Sequence, residues 1–204
     1  MKINGIILAA GMSSRMEAFK PLLKLKDKTI IECSIDSMLC AGVQQVVVVL
    51  GHRAQELETV LLSRYEHSRL VLVRNSHYAE MDMLMSVKIG ISALPVCDAF
   101  FLLPGDMPAV NSQTFLKVKE TMVRSQALIA FPSLEGHRKH PPLISAKCMD
   151  TICKFDGTGG LREVWKQLES EIVTVAVDDA GCRLDADTRA DYQRLVDYME
   201  FSNS

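Results

Sequence analysis

The sequence predicts an α/β protein whose open, mostly parallel sheet carries helices on both faces. Short apolar runs alternate along the chain with longer segments whose apolar residues recur at three- and four-residue spacing, a pattern typical of strands followed by amphipathic helices. Several of the short runs, such as the VVVVL of residues 46–50, are apolar throughout, as expected of strands covered on both faces. No repeat, linker or change of composition divides the 204 residues, which predicts a single domain over residues 1–204.

The alternation assigns the elements in chain order, since strand–helix–strand units wind into a parallel sheet through right-handed crossovers. The expected strands are 5–9, 46–50, 70–73, 99–103, 127–131 and 172–177. The expected helices are 30–41, 54–65, 84–94, 112–124, 160–169 and 188–199. The last of them begins with a Thr-Arg-Ala-Asp series at 188–191, which resembles an N-cap and an acidic first turn. Residues 133–142, with one glycine, two prolines and two histidines, are predicted to form a loop, and loops in compact domains often carry function.

Composition and charge exclude several classes of protein. The 23 basic and 25 acidic residues give a formal net charge of -2, which offers no electrostatic footprint for nucleic acid or for an anionic membrane. The apolar run at the amino terminus is too short for a signal peptide, and no segment reaches the roughly 18 apolar residues of a membrane span. The six cysteines lack CxxC spacing, which favours reduced thiols in a cytoplasmic protein over a metal or redox centre.

The strongest functional signal follows the first strand, where small residues, hydroxyls and cations occur together. In an open α/β sheet, ligands bind beyond the carboxyl ends of the strands, and successive backbone amides next to a glycine can surround phosphate oxygens. Arg15 offers paired donors and Lys20 a mobile charge for a triphosphate. The alternative is an ordinary turn with a solvated arginine and lysine. The residues of this segment are Leu8, Ala9, Ala10, Gly11, Met12, Ser13, Ser14, Arg15, Met16 and, after a short gap, Lys20.

A second signal is a carboxylate at the end of an apolar strand. The run FFLLPGDMP places Asp106 directly after Gly105, and Pro108 prevents the strand from continuing. A carboxylate delivered in this way to the carboxyl end of a buried strand is a candidate functional residue. A turn-forming or helix-capping aspartate is the alternative interpretation.

The run LAAGMSSRM followed by KPLL resembles the signature of the MobA-like NTP transferases, which activate cofactors and sugars on a Rossmann-like, GT-A-type sheet. Within that family the chain is most similar to the molybdenum cofactor cytidylyltransferase group. Four further segments carry the resemblance: SVKIGI at 86–91, GDMP at 105–108, HPPL at 140–143 and the acidic RLDADT at 183–188. The resemblance implies transfer of CMP from CTP to a molybdopterin-type acceptor, with Mg²⁺ as cofactor and a molybdenum hydroxylase or its maturation factor as a partner.

The resemblance also implies roles for single residues. Asp106 would hold the metal with Asp185, while Asp187 is the alternative ligand and whichever of the two is not used would cap the last helix. His140 would lie towards the acceptor, or would be an ordinary loop histidine. The glycine turn at 156–161 would meet an acceptor phosphate through its amides, or would only connect two elements. The implied catalytic residues are Arg15, Lys20 and Asp106, and the implied nucleotide-binding residues are Leu8, Ala9, Ala10, Gly11, Ser13, Ser14, Asn75 and Ser86.

Three positions depart from the family's pattern. Glu17 replaces a glycine after the RM pair, Phe19 a proline before Lys20, and Asp82 a glycine ahead of Ser86. Acidic side chains near a triphosphate would weaken or reshape its binding unless they point outward. Two alternatives to the cytidylyltransferase therefore stay open: a sugar- or alditol-phosphate nucleotidyltransferase, and a non-catalytic carrier of the molybdenum cofactor.

Overall fold

The computed structural model of the chain describes residues 1–12, 18–79 and 83–201. Its strands are β1 (Ile3–Ala9), β2 (Lys24–Leu25), β3 (Lys28–Thr29), β4 (Val46–Leu50), β5 (Leu70–Arg74), β6 (Ala99–Pro104), β7 (Ile129–Leu134), β8 (His137–Arg138), β9 (Leu143–Ser145) and β10 (Ile172–Ala176). Its helices are α1 (Ile30–Cys40), α2 (Ala54–Arg64), α3 (Met83–Ser92), α4 (Ser112–Ser125), α5 (Met149–Lys154), α6 (Leu161–Gln167) and α7 (Arg189–Phe201). Among the described helices, none combines the length and apolar character that a membrane crossing requires.

The main sheet has the strand order β10-β7-β9-β6-β1-β4-β5, with β8 paired to β7. Strands β6, β1, β4 and β5 are parallel neighbours, and so are β7 and β10. Strand β9 lies between β6 and β7 and is antiparallel to both. The sheet is therefore open and mostly parallel, which confirms the predicted fold class.

Two apolar cores cover the two faces of this sheet. On one face, Ile7 of β1 packs with helices α1, α2 and α4, for example through Ile35 and Phe115. On the other face, Ile6 packs with helices α3, α5 and α6, for example through Val87. All five residues of β4 are fully buried, because neighbouring side chains of one strand point to opposite faces and both faces are covered.

The prediction of a loop over residues 133–142 is partly wrong. Residues 133 and 134 end β7, a turn at Glu135 and Gly136 reverses the chain, and β8 returns antiparallel to β7. Both turn residues have positive φ, 53° and 78°, as in the tight hairpin turns that suit strand twist. Strands β2, β3 and β9 and helix α5 were also not predicted, because two to six residues carry too little periodicity.

Candidate active site

A cleft lies beyond the carboxyl ends of β1 and β6, which pair in parallel at the centre of the sheet. Its volume is about 270 Å³. This is the position at which open α/β sheets bind their ligands, and the structure brings the described part of the glycine loop together there with Lys20 and Asp106. The lining residues are Leu8, Ala9, Ala10, Gly11, Lys20, Pro21, Tyr78, Met83, Ser86, Pro104, Gly105 and Asp106.

Glycines allow neighbouring backbones to approach the end of β1. The Gly105 amide donates to the Leu8 carbonyl at 2.9 Å, and a Cβ on Gly105 would lie 3.0 Å from the same oxygen. A Cβ on Gly51 would lie 2.4 Å from the Ala10 carbonyl oxygen. At Gly11, by contrast, a Cβ would meet no described atom within 4 Å, so packing of the free protein does not require that glycine and its lack of a side chain leaves room on the cleft.

Lys20 begins the 3₁₀ turn Lys20–Leu22, with Pro21 next to it. The residue is buried, with 8% of its surface exposed. Its Nζ lies 2.8 Å from Oδ1 of Asp187 and 3.8 Å from Oδ2 of Asp106. The lysine predicted to contact a triphosphate thus faces carboxylates from two distant segments of the chain.

Negative charge is concentrated around this lysine. Burial raises the pKa of Asp106, the Lys20 ammonium opposes that shift, and the carboxylates of Asp185 and Asp187 add to it. Burial also raises the pKa of Asp185. The hydrogen bond that its carboxylate accepts from the Asp187 amide lowers this pKa, and the negative charge of the Asp187 carboxylate raises it. Carboxylates that are costly to ionise together favour a cation between them.

The donor set suits a hard divalent cation that binds with its substrate. Across the described ranges, no group of three His, Cys, Asp or Glu side chains is placed to hold a metal ion by itself. Asp106 lines the cleft, whereas Asp185 is not among the described lining residues, but the Asp185 carboxylate raises the pKa of Asp106. Magnesium characteristically takes one or two carboxylates and completes its shell with water and substrate phosphates, so these residues fit it.

Neither Asp185 nor Asp187 caps α7, so that alternative is wrong. The Thr188 amide and hydroxyl both donate to Oδ2 of Asp191, and the Asp191 amide donates back to the Thr188 hydroxyl. This reciprocal arrangement is a capping box in which Thr188 is the cap and Asp191 the third helical residue. The two earlier aspartates therefore do not provide the cap of this helix.

Asp179 and Gly181 fix the acidic segment 183–187 in place, and sequence analysis missed both. Asp179 is 6% exposed, and its carboxylate accepts hydrogen bonds from the Asn111 amide at 2.9 Å and the Gly181 amide at 3.0 Å. Gly181 packs so closely that a Cβ would lie 2.0 Å from the Ala109 carbonyl oxygen. An Asp-Ala-Gly turn directly after a strand was the available signal.

Asn75 and Ser86 are joined to one another. The Asn75 Nδ2 donates to the Ser86 hydroxyl at 3.1 Å, and its Oδ1 accepts from the His77 amide at 3.0 Å. Asn75 is only 2% exposed, and it is not among the described residues that line the cleft, whereas Ser86 is. The structure thus places Asn75 behind Ser86, where it supports the wall of the cleft.

The cleft residue Tyr78 belongs to an aromatic cluster that lies behind the wall of the cleft. The His52 ring lies 5.7 Å from Phe19 and 6.0 Å from Tyr78, measured between centroids, and the Arg53 guanidinium lies 4.9 Å from the Phe19 ring. Phe19, a departure from the family's pattern, is therefore accommodated by packing. Tyr78 was not predicted, because an aromatic residue in a loop carries no periodic signal.

His140 and the glycine turn at 156–161 do not line this cleft within the described part of the chain. His140 is half-buried, and its Nδ1 lies 3.4 Å from the Leu102 carbonyl oxygen. Burial lowers the pKa of His140, whereas the contact with the Leu102 carbonyl raises it. Three glycines of the turn have positive φ. Just before the turn, the Lys88 ammonium donates a hydrogen bond to the Phe155 carbonyl. The remaining predicted positions, Ser13, Ser14, Arg15, Glu17 and Asp82, lie outside the described residues.

Comparison with known proteins gives consistent matches over most of the chain. The family model described as the MobA-like NTP transferase domain matches residues 5–172. The molybdenum cofactor cytidylyltransferase of Escherichia coli (strain K12) is 31% identical over 193 residues, 93% of each chain. The nicotine blue oxidoreductase of Paenarthrobacter nicotinovorans is 26% identical over 95% of this chain and 96% of that one. Rv0371c from Mycobacterium tuberculosis H37Rv superposes with a TM-score of 0.80 at 25% identity over 97% and 99% of the chains, and it has also been solved in complex with manganese.

Proposed function

The chain belongs to the MobA-like NTP transferase family, and on that premise we propose that this nucleotidyltransferase moves CMP from CTP to a molybdopterin-type acceptor. The observation that carries the proposal is the position of Lys20 and Asp106 in one cleft with residues 8–11. The similarity to a molybdenum cofactor cytidylyltransferase along 93% of both chains supports CTP as donor and molybdopterin as acceptor. A molybdenum hydroxylase or its maturation factor would receive the product.

The reaction is an in-line displacement at the α-phosphorus of CTP. An oxygen of the acceptor's phosphate forms a bond to that phosphorus, and the bond from the α-phosphorus to the oxygen bridging the α- and β-phosphates breaks. Pyrophosphate leaves with the bonding electrons. No side chain needs to act as nucleophile, so the protein accelerates the step by positioning the two phosphates and neutralising their charge.

The proposal gives roles to several cleft residues and to Arg15. Lys20 leaves its carboxylate partners and binds the triphosphate, and Arg15 supplies a second cation. The amides of the loop that begins at Gly11 hold phosphate oxygens, and Asn75 keeps Ser86 in position. The proposed nucleotide-binding set is Leu8, Ala9, Ala10, Gly11, Ser13, Ser14 and Ser86, supported from behind by Asn75.

Asp106 and Asp185 would hold Mg²⁺. An ion held by these residues would supply positive charge to neutralise the phosphates of the nucleotide. The support for this assignment is the place of Asp106 in the cleft and the effect of the Asp185 carboxylate, which raises the pKa of Asp106. The manganese complex of the similarly folded Rv0371c adds to it.

Thermal unfolding with Mg²⁺ and each of CTP, GTP, ATP and UTP tests the proposal, followed by assays of pyrophosphate release with molybdopterin or sugar phosphates as acceptor. A ligand present at 100 times its Kd stabilises the folded state by about 2.7 kcal/mol. We expect a shift with CTP and pyrophosphate release with molybdopterin. Release with a sugar phosphate instead would overturn the acceptor but keep the transferase.

Absence of both nucleotide binding and pyrophosphate release would overturn the proposal altogether. That result would favour a carrier of the molybdenum cofactor. One full-length relative is named for an oxidoreductase, so overall similarity alone does not specify the reaction, and dependence on a nucleoside triphosphate is the property to establish first.

A further inference from the structure

The Lys20 ammonium lies between carboxylates of two segments that are far apart in the chain. Its distance to Asp187 is 2.8 Å, that of a direct hydrogen-bonded ion pair, and its distance to Asp106 is 3.8 Å. The lysine side chain is 10% exposed, compared with 41% for Asp187 and 27% for Asp106. A partly desolvated pair of this kind holds its geometry better than two solvated side chains would.

The local structure gives Asp185 and Asp187 different surroundings. The Asp187 amide donates to Oδ1 of Asp185, so the Asp185 side chain folds back over its own turn. The cap of α7 is provided by Thr188 and Asp191. The Asp187 carboxylate does not provide that cap, and it accepts a hydrogen bond from the Lys20 ammonium.

We propose that Asp187 is a positioning residue, which holds the Lys20 ammonium beside Asp106 in the nucleotide-free protein and releases it to the triphosphate. This inference rests on the proposed function, because the triphosphate is the group that takes the ammonium from Asp187. In this proposal Asp106 is a metal ligand, and Lys20 controls whether a metal ion can bind to it. Asp187 is not a metal ligand.

The positive charge of Lys20 explains how this arrangement would affect metal binding at Asp106. Two like charges a few ångströms apart repel one another appreciably even at the effective dielectric constant of a protein surface. While Lys20 lies 3.8 Å from Asp106, it disfavours any second cation at that carboxylate. When the oxygens of a triphosphate accept the ammonium, Asp106 becomes available, so a divalent cation and the nucleotide bind together rather than the cation first.

The test is a titration of the nucleotide-free protein with Mn²⁺. Electron paramagnetic resonance measures the concentration of free Mn²⁺ and so gives the Kd. We expect Lys20→Met to bind Mn²⁺ at least about tenfold more tightly than the wild type. Lys20→Arg, which keeps the charge, should bind as weakly as the wild type, and so should Lys24→Met, which removes an exposed lysine nearby. A Kd for Lys20→Met within twofold of the wild-type value would overturn the proposal.

A second comparison separates positioning from ligation. With CTP bound, Asp185→Asn should weaken Mn²⁺ binding at least tenfold, whereas Asp187→Asn should change it less than threefold. A tenfold loss in Asp187→Asn would make Asp187 a metal ligand and refute the assignment. If the wild type binds Mn²⁺ but neither binds CTP nor releases pyrophosphate, the proposed function fails. The comparison of Lys20→Met with the wild type then still decides whether Lys20 keeps a metal ion away from Asp106.

Discussion

The Asp179 carboxylate accepts a hydrogen bond of 2.6 Å from the Thr114 hydroxyl, across 65 residues of sequence. Thr114 lies in the first turn of α4, and the same carboxylate also binds the amides of Asn111 and Gly181. One buried charge thus joins the segment that follows Asp106 to the segment that leads to Asp185.

Asp179→Ala should lower the free energy of unfolding by about 3 kcal/mol, because removing a charged acceptor leaves several buried donors unpaired. Urea denaturation measures the change. Asp178→Ala, at the exposed neighbouring position, should stay within about 0.5 kcal/mol of the wild type. Equal losses in the two variants would show that the buried contacts of Asp179 do not stabilise the fold.

Asp106→Asn should reduce kcat for pyrophosphate release at least about 100-fold, the size of effect that follows loss of one preorganised electrostatic group. The melting temperature should not fall, because burial raises the pKa of Asp106 and a neutral amide avoids that desolvation cost. Asp150→Asn, on the exposed surface of α5, is the matched control with unchanged activity. Retention of full activity in Asp106→Asn would remove Asp106 from the mechanism.

Gly11→Ala and Gly51→Ala should act in opposite ways. A Cβ at position 11 meets no described atom within 4 Å, so the melting temperature of the free protein should be unchanged or slightly higher, while the methyl group should weaken CTP binding. At position 51 the Cβ would lie 2.4 Å from the Ala10 carbonyl oxygen, which should cost about 1–3 kcal/mol of stability. Thermal unfolding with and without CTP measures both effects, and unaltered CTP affinity in Gly11→Ala would place the phosphates elsewhere.

The stability of the protein should decrease in mild acid because of His140. Burial lowers the pKa of His140 below its usual value of 6.5, so the unfolded chain takes up a proton before the folded one does. The contribution of the neutral ring is complete above pH 6.5 and is lost as the pH falls through the lowered pKa. His140→Gln should flatten the dependence of unfolding free energy on pH in this range, whereas His137→Gln, on the exposed hairpin, should leave it unchanged.

Periodicity and loop composition were enough to predict the sheet's class and the end of β1 at the cleft. The burial of β4 can be inferred from its run of apolar residues, and the close backbone approach at positions 8–11 from the small residues there. The pairing of Lys20 with Asp187 spans 167 residues, and no local pattern encodes a contact of that range. The capping box at Thr188 has a readable local spacing, Thr followed three residues later by an acid, and the structure confirms the N-cap predicted there. Only the alternative that Asp185 or Asp187 caps the helix is wrong.

The central place of β9 has a consequence for a chain still being synthesised. The parallel strands β1, β4, β5 and β6 are complete at residue 104, yet the free side of β6 acquires its partner only when residues 143–145 have been made. Until then the apolar sequence AFFLLP presents unpaired backbone groups, the type of edge that invites intermolecular strand pairing. A nascent or truncated chain that ends between these points is therefore the form of this protein most exposed to aggregation.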